Sequence, residues 1–338
     1  MSVTSTSTST STSTSTTAVI QTAASTRDHR KWLIEYSMPI AFAILVVVLS
    51  LTVDNFFSVP NIVGLMLSVA QIGMVACTMM LCLASRDFDL SVGSTIAFAG
   101  VLGAIILERS GSVMLAMGGG LAAGALIGAG NGVLIAYLRV NALIATLATM
   151  LMVRGLAFIV SHGQAVGIAN ESFIAIGDTR LFGMPVPVLV AGACFVVFGV
   201  LLNQTIFGRN TLAIGGNPEA ARLAGVRVER LRVWIFLLQG VVTALAGLIM
   251  AARITSGQPN AAQGFELDVI SACVLGGVSL QGGKARIFGV LIGVLIMGTV
   301  ENVMNLLDVD SFYQYLMRGG ILLAAVLFDQ LKVRGERR

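Results

Sequence analysis

The sequence has little of the chemistry that soluble enzymes use. Of its 338 residues only two are histidines, His29 and His162, and only 11% are charged. A Ser-His-Asp arrangement or a histidine-based metal site needs more of these parts than the chain supplies. The phosphate-binding pattern GxxxxGK[ST] is missing as well. We therefore predict that the chain is not an enzyme and has no catalytic residues, no metal site and no cofactor of its own.

The few cysteines and the small net charge point away from metal binding and nucleic-acid binding. Cys77, Cys82, Cys194 and Cys273 are scattered through apolar segments without metal-ligand spacing, which favours small core residues. The net charge of +4 lies mainly in loops and at the C-terminus, where it reports membrane topology. We expect no nucleic-acid partner.

Apolar residues, in contrast, make up 56% of the chain. A hydrocarbon core of about 30 Å needs about 20 apolar residues per helix, and such segments recur along almost the whole chain after Ser37. The 38 glycines suit a transmembrane bundle, because small residues let helix backbones approach closely. The sequence therefore predicts an all-α, polytopic integral membrane protein in a lipid bilayer.

Ten apolar runs are candidates for membrane crossings. They are 38–53, 62–84, 90–107, 113–138, 142–160, 186–202, 234–252, 269–280, 287–306 and 315–331. Basic residues precede the first run and follow the last, so both termini are predicted to be cytoplasmic. The number of crossings must then be even, which favours about ten transmembrane helices.

The eighth run, 269–280, is the doubtful one, because about 12 residues are too few to cross alone. It either forms a re-entrant half-helix or extends backward through 264–268 and crosses completely. The parity argument favours a full crossing, and broken or re-entrant segments stay part of the prediction.

The chain divides into a tail, a membrane domain and a short basic end. Residues 1–31 begin with a Ser/Thr repeat that has nothing to bury, which predicts a disordered cytoplasmic tail. Residues 32–331 form the transmembrane domain, which contains a cytoplasmic loop at 203–233. Residues 332–338 form a basic cytoplasmic tail.

The loop at 203–233 carries five arginines and two glutamates between two long apolar runs. Asn217 is a good N-cap, Pro218 suits the first helical position, and Gly225 can take the left-handed conformation that ends a helix. The pattern therefore predicts two turns of helix over 218–224.

This short helix has a small apolar face formed by Ala220, Leu223 and Ala224. An ordered helix in a cytoplasmic loop indicates a docking site for another protein. We expect that Gly216 and Gly225 are in turns that only small residues fill easily.

Ionisable residues interrupt three apolar runs, at Glu301, Arg154 and Arg318. Such groups are costly in a membrane and indicate a transport pathway or an internal ion pair, although Arg318 could also lie near the interface. Glu301 forms a polar stripe with Asn302 and Asn305, which would hydrogen-bond a sugar or hold helices together. Helix packing is the favoured interpretation.

The segment 86–93 separates two apolar runs, and the glycine-rich segment 274–283 interrupts the second half in a similar way. Asp89 or Ser91 taken singly is best explained as the cap of the following helix. A helix N-terminus near the middle of a membrane is also a common place to orient a polar substrate. The candidates for a translocation pathway are therefore Asp87, Asp89, Ser91, Glu301, Asn302 and Asn305.

Four blocks of the sequence resemble the permeases of sugar-importing ATP-binding-cassette (ABC) systems, the group that includes ribose and arabinose permeases. They are DFDLSVGS at 87–94, LIATLAT at 143–149, FGRNTLAIGGNPEAARLAG at 207–225 and GFELDVISACVLGGVSL at 264–280. Shorter segments at 147–150, 253–259 and 298–307 are most similar to L-arabinose permeases. The resemblance covers about residues 32–331.

The resemblance implies a permease subunit in a bacterial inner membrane that imports a monosaccharide, with L-arabinose as the expected sugar. It implies a homodimer, two copies of an ABC ATPase that use ATP and Mg, and a periplasmic sugar-binding protein. In such permeases a short cytoplasmic helix docks into the ATPase. By position, the coupling residues are Gly215, Gly216, Asn217, Pro218, Glu219, Ala220, Ala221, Arg222 and Gly225.

Two other functions are alternatives. A proton-coupled secondary sugar transporter would need an intramembrane carboxylate or histidine relay, for which Glu301 is the only deep candidate. An embedded enzyme acting on lipid-linked sugars would need paired carboxylates, and Asp87 and Asp89 are the nearest pair. A neutral sugar needs no fixed counter-charge, so the scarcity of ionisable residues in the apolar runs favours the ATP-driven permease.

Overall fold

The computed structural model of the chain describes residues 38–336, except for the side chains of 311, 328–329 and 331–336. The predicted tail at 1–31 lies outside the described residues, and of the tail at 332–338 only the backbone of 332–336 is described.

Helices account for most of the described chain. There are thirteen within it: α1 (Met38–Thr52), α2 (Val59–Ala84), α3 (Val92–Ser110), α4 (Val113–Ala136), α5 (Ala142–Val160), α6 (Glu171–Asp178), α7 (Val186–Gln204), α8 (Ile206–Gly216), α9 (Pro218–Leu223), α10 (Val228–Arg253), α11 (Phe265–Leu275), α12 (Ile287–Leu306) and α13 (Ser311–Glu336).

Four strands of two residues each complete the described structure. Strand β1 (Val166–Gly167) pairs antiparallel with β4 (Ser256–Gly257), which ties the loop after α5 to the loop after α10. Strands β2 (Arg180–Leu181) and β3 (Met184–Pro185) form a small hairpin before α7.

Seven of the described helices, α2, α3, α4, α5, α7, α10 and α12, are long and apolar enough to cross a membrane. Two shorter apolar segments, Met38–Thr52 and Phe312–Leu327, lie in α1 and α13. The prediction of an all-α membrane protein is confirmed, whereas the count of ten crossings is not confirmed.

The eighth apolar run overlaps α11, which begins at Phe265 and ends at Leu275. Its 11 residues rise about 16 Å, roughly half of a hydrocarbon core. The helix does extend backward to Phe265, but it is still too short to cross alone. The length of α11 therefore agrees with the half-helix alternative and not with a full crossing.

The core lies around the second half of α2 and along α10. Every residue from 72 to 85 is buried, and Ile235, Phe236 and Leu248 of α10 are completely so. Helices α4 and α5, in contrast, expose apolar side chains such as Leu126 and Leu151 on the outside of the bundle. Those surfaces suit contact with lipid or with a second membrane subunit.

Helices α4 and α10 touch backbone to backbone through glycines. Glycines recur at every fourth residue of one face of α4, and a Cβ added at Gly124 would lie 2.4 Å from the carbonyl oxygen of Gly240. A Cβ added at Gly128 would lie 2.2 Å from the carbonyl oxygen of Phe236. Neither position therefore has room for a methyl group, as expected for small residues at transmembrane helix contacts.

Helix α11 is held against α12 in the same manner. A Cβ added at Gly293 would lie 1.9 Å from the carbonyl oxygen of Ala272, and one at Gly289 would lie 2.0 Å from that of Gly276. The short helix therefore has a fixed position against a long one.

We predict that Gly128→Ala destabilises the protein by about 1–3 kcal/mol, because the methyl group forces α4 and α10 apart. The matched control is Gly130→Ala in the same helix, where nothing lies within 4 Å of an added Cβ. There the higher helix propensity of alanine gives no loss, or a gain of up to about 1 kcal/mol. Thermal unfolding of the detergent-solubilised variants measures both, and equal stabilities would contradict this account of the contact.

Candidate coupling and translocation sites

The helix predicted in the polar loop is present as α9, between α8 and α10. Asn217 caps it, since its Oδ1 accepts hydrogen bonds from the backbone N–H groups of Glu219 at 3.0 Å and Ala220 at 3.1 Å. Pro218 is the first helical residue, and Gly225 has a φ of +87°. These three predictions are confirmed, and the helix is one residue shorter than predicted.

The apolar face of α9 points away from the protein. Only Ala221 is buried, whereas Ala220 and Ala224 are exposed and Leu223 is 91% exposed. Arg222 forms an ion pair with Glu229 in the first turn of α10, which fixes α9 to that helix. An ordered helix with an exposed leucine is a suitable surface for a partner protein.

The expectation that Gly216 fills a tight position is wrong. An added Cβ at Gly216 meets nothing within 4 Å, whereas one at Gly215 would lie 1.7 Å from the carbonyl oxygen of Ala84. The same Cβ would lie 2.4 Å from the backbone nitrogen of Gly283. The constrained glycine is therefore Gly215, where three chain segments meet.

Arg86 strengthens this junction. Its Nε donates to the carbonyl oxygen of Gln281 at 2.6 Å, and its Nη2 donates to that of Gly216 at 2.9 Å. The backbone N–H of Gly283 donates to the carbonyl oxygen of Ala84 at 2.9 Å. The ends of α2 and α8 and the loop before α12 are thus joined beside α9.

Asp87, in the loop between α2 and α3, lines a cleft of about 610 Å³, which is also lined by Arg139 and Arg222. Its Oδ2 is 3.0 Å from Nε of Arg232 in α10. Burial raises the pKa of Asp87 to about 6, and the charge of Arg232 and a hydrogen bond from Ser85 only partly offset this effect. The pair therefore joins α10 to the α2–α3 loop.

Asp89 and Ser91 belong to a buried chain of hydrogen bonds across three helices. Asp89 Oδ1 accepts from the backbone N–H of Ser91 at 2.9 Å and from its hydroxyl at 2.6 Å. Asn131 of α4 donates to Ser91 Oγ at 3.0 Å and accepts from the hydroxyl of Thr149 of α5 at 2.6 Å.

The capping interpretation of these two residues does not hold. Ser91 occupies the N-cap position of α3, but its side chain makes no capping hydrogen bond. Burial raises the pKa of Asp89, against the hydrogen bonds from Ser91 that lower it. Asp89 bonds Ser91, and Ser91 in turn contacts Asn131 of α4.

Arg318 forms internal ion pairs with both Glu301 and Asp268. Arg318 Nη2 is 2.7 Å from Glu301 Oε1, and its Nη1 is 3.4 Å from Asp268 Oδ2. The pair between Arg318 and Glu301 joins α13 to α12, and the pair between Arg318 and Asp268 joins α13 to α11. Of the alternatives for Arg318, the structure therefore has the ion pair.

Asn302 and Asn305 also make contacts between helices. The amide groups of Asn302 and Asn61 of α2 donate to each other at 2.7 and 3.1 Å. Asn305 Oδ1 accepts from Gln314 of α13 at 3.0 Å. These bonds agree with the helix-packing interpretation of the polar stripe.

Arg154 holds the loop that leads into α11. Its Nη1 donates to the carbonyl oxygens of Pro259 and Ala261, both at 2.7 Å. This loop also approaches α3, since a Cβ added at Gly93 would lie 2.4 Å from the carbonyl oxygen of Ala262.

Four residues of these sites were missed in the sequence analysis: Arg232, Asp268, Asn131 and Thr149. Asn131 offered a signal, because it is the one amide in the otherwise apolar α4. The others are not distinguished by spacing, since their partners lie far away in the sequence. Among the residues that the structure describes, no group of three His, Cys, Asp or Glu residues could hold a metal ion.

The fold and these sites define a membrane transport subunit, and comparison with known proteins agrees. Residues 61–326 match the family described as branched-chain amino acid transport system / permease component, and the chain belongs to this family.

Three relatives illustrate the similarity. The chain is 54% identical over 303 residues to the L-arabinose transport system permease protein AraH of Escherichia coli (strain K12), covering 90% of this chain and 92% of the relative. It is 54% identical over 297 residues to the L-arabinose ABC transporter permease protein AraH of Azospirillum brasilense, covering 88% and 87%. It is 39% identical over 317 residues to the ribose import permease protein RbsC of Escherichia coli (strain K12), covering 92% and 99%.

The resemblance to ribose and arabinose permeases is thereby confirmed. No solved structure matches the chain.

The raised pKa of Asp87 predicts a pH-dependent stability. The folded state binds the proton of Asp87 more tightly than the unfolded state does. The stabilisation of the fold by the protonated carboxyl group is therefore fully present below pH 3.8 and is lost as the pH rises through about 6. Asp87→Asn, which cannot ionise, should therefore gain about 1–3 kcal/mol relative to the unmodified protein between pH 4.5 and 7. Thermal unfolding across this range, with the exposed Asp54→Asn as control, measures the gain, and a pH-independent difference would disprove it.

Proposed function

We propose that the chain is the membrane-spanning subunit of an ATP-driven importer of L-arabinose. The observation that carries the proposal is 54% identity, over about nine tenths of the chain, to two permeases named for L-arabinose transport. That range includes α9 and the loop between α2 and α3, so both the coupling surface and the candidate pathway fall within the similar part.

In this proposal the work is divided among several subunits. A partner ABC ATPase binds ATP and Mg and hydrolyses ATP, while a periplasmic binding protein delivers the sugar. A second copy of the chain completes the pathway, and the exposed apolar surfaces of α4 and α5 provide area for that contact and for lipid. The positive-inside rule supports cytoplasmic termini in a bacterial inner membrane.

Helix α9 is the coupling element. Its exposed face, with Leu223 at 91% exposure, offers the partner ATPase an apolar contact. The coupling residues proposed are those predicted from the sequence, from Gly215 to Arg222 together with Gly225. Of these, Ala221 faces the bundle and supports the helix.

Two ion pairs connect α9 with the candidate pathway. Arg222 pairs with Glu229, and Arg232 pairs with Asp87 one turn further along α10. When ATP binding draws the ATPase subunits together, a movement of α9 would pass through α10 to the loop that carries Asp89 and Ser91. These residues are the proposed contacts of the translocation pathway, and the packing bonds of Asn302 and Asn305 give them a supporting role.

The proton-coupled alternative is disfavoured by the surroundings of Glu301. A proton relay needs a carboxylate that exchanges its proton during transport, whereas Glu301 lies 2.7 Å from the fixed charge of Arg318. An ion pair of this kind is suited to holding α12 and α13 together.

We predict that Gly225→Val uncouples the ATPase from transport, because valine is strained at a φ of +87° and the end of α9 must shift. Uptake should fall at least about tenfold, the effect of about 1.4 kcal/mol, while the chain still inserts in the membrane. The matched control is Gly111→Val, at the left-handed C-cap of α3, which carries similar strain away from α9. Equal uptake by both variants, with co-purification of the ATPase unchanged, would remove α9 from the coupling role.

We also predict that Glu301→Gln retains substantial ATP-dependent uptake of L-arabinose, because the amide oxygen can still accept a hydrogen bond from Arg318. Proteoliposomes with the ATPase and binding protein, with and without a proton gradient, provide the measurement. Uptake that persists without the ATPase and disappears in Glu301→Gln would identify a proton-coupled carrier.

A further inference from the structure

Helix α10 carries two buried polar side chains without hydrogen-bonding partners among the described residues. They are Gln239, whose Nε2 and Oε1 are both unpaired, and Thr243, whose Oγ1 is unpaired. Gln239 is 0% exposed and Thr243 is 1% exposed. The two are four residues apart, so they lie on the same side of the helix.

Unpaired polar atoms lower the stability of the fold, and each needs an explanation. Gln239 and Thr243 differ from an isolated case such as Thr299, because two unpaired side chains lie on one side of the same helix. Neighbouring buried polar residues are bonded: Asn131, Thr146 and Thr149 all have partners within 3.0 Å. Packing in this region therefore does supply partners where a side chain serves the fold. Gln239 and Thr243 are left without them.

The depth of these two residues follows from the contact between α3 and α10. A Cβ added at Gly247 would lie 2.4 Å from the carbonyl oxygen of Ile96, and one at Gly100 would lie 3.3 Å from Cβ of Ala251. The contacts advance toward the C-termini of both helices, so α3 and α10 run in the same direction.

Thr243 is one turn before Gly247, and Val92, the first residue of α3, is one turn before Ile96, so Thr243 lies near the beginning of α3. Gln239 is next to Gly240, whose Cα would lie 3.1 Å from a Cβ added at Gly128 of α4. Asn131, three residues further along α4, donates to Ser91. The unpaired side chains are thus at the same depth as the buried chain of hydrogen bonds.

We propose that Gln239 and Thr243 bind hydroxyl groups of the transported sugar, a neutral polyol, and form a subsite at the α2–α3 loop. The inference rests on the proposed function. An amide and a hydroxyl each donate and accept hydrogen bonds, as sugar hydroxyls do, and neither adds a charge. The match in chemistry is therefore to an uncharged substrate.

The subsite is closed in this conformation. A cavity between α3 and α10, beside Ile96, Gly247 and Gln258, has a volume of about 10 Å³. Such a volume suits about one water molecule and not a monosaccharide. Binding therefore requires α3 and α10 to separate.

The experiment uses the full chain with its ATPase and binding protein in proteoliposomes, at saturating sugar-loaded binding protein. Gln239→Met and Thr243→Val keep the side-chain volume and remove the polar atoms. Each should lower L-arabinose uptake about tenfold, the effect of one lost hydrogen bond in a closed site. Each should also leave the melting temperature unchanged or raise it, because an unpaired buried group is removed.

The matched control is Thr299→Val in α12, where Oγ1 is likewise unpaired in a side chain that is 1% exposed. Thr299→Val should likewise leave the melting temperature unchanged or raise it, and its uptake should equal that of the unmodified chain. A monodeoxy arabinose provides a second readout. The missing hydroxyl should slow uptake by the unmodified chain and have no further effect in the variant that lost its partner.

Uptake within twofold of the unmodified chain in both variants would overturn the subsite. Lower melting temperatures in both would also overturn it, because the side chains would then serve the fold. An unmodified chain that takes up no L-arabinose would instead contradict the proposed function.

Discussion

The direct backbone contact between α4 and α10 is the constraint on which the rest of the structure depends. Glycines at 124 and 128 leave room for carbonyl oxygens of α10 and for nothing larger. Because lipid tails solvate leucine as well as a protein core does, close packing of this kind replaces much of the hydrophobic driving force. It also places Asn131 of α4 within reach of Ser91, so the buried hydrogen bonds depend on the glycines beside them.

Polar groups in this protein fall into three kinds by their surroundings. Those at α12 and α13 are paired and hold helices together, as Glu301 and Arg318 do. Those at the α2–α3 loop connect α10 with α3, α4 and α5 through short bonds. Gln239 and Thr243, like Thr299 of α12, have polar atoms without a hydrogen-bonding partner among the described residues. A neutral sugar would cross such a protein by exchanging hydrogen bonds, with no need for a fixed charge.

Much of the architecture could be predicted from the sequence, because its signals are local. Asn217, Pro218 and Gly225 mark the ends of α9 by their own backbone preferences, and a helix overlaps every apolar run that was predicted to cross. The half-length of α11 depends instead on glycines at both of its ends, which a count of apolar residues does not register.

The candidate site was predicted less completely, because its bonds join distant residues. Asp87 was identified, but Arg232 is 145 positions further along the chain. The prediction that Gly216 fills a tight position was wrong for the same reason, since the crowded glycine is Gly215. Only folding brings the carbonyl oxygen of Ala84 and the backbone nitrogen of Gly283 to the Cβ position of Gly215 and leaves that of Gly216 open. Local pattern identifies a tight turn, whereas the identity of the crowded atom depends on the tertiary structure.

The junction at Gly215 has a mechanical consequence. Where three backbone segments touch, no rotamer change can absorb a displacement, because main-chain atoms have no side-chain freedom to yield. A push on α9 would therefore reach the ends of α2 and α12 with little attenuation, even before any ion pair responds. In the proposed transport cycle, the stiffness of that junction would set how small a movement of the partner ATPase is sufficient to switch the permease.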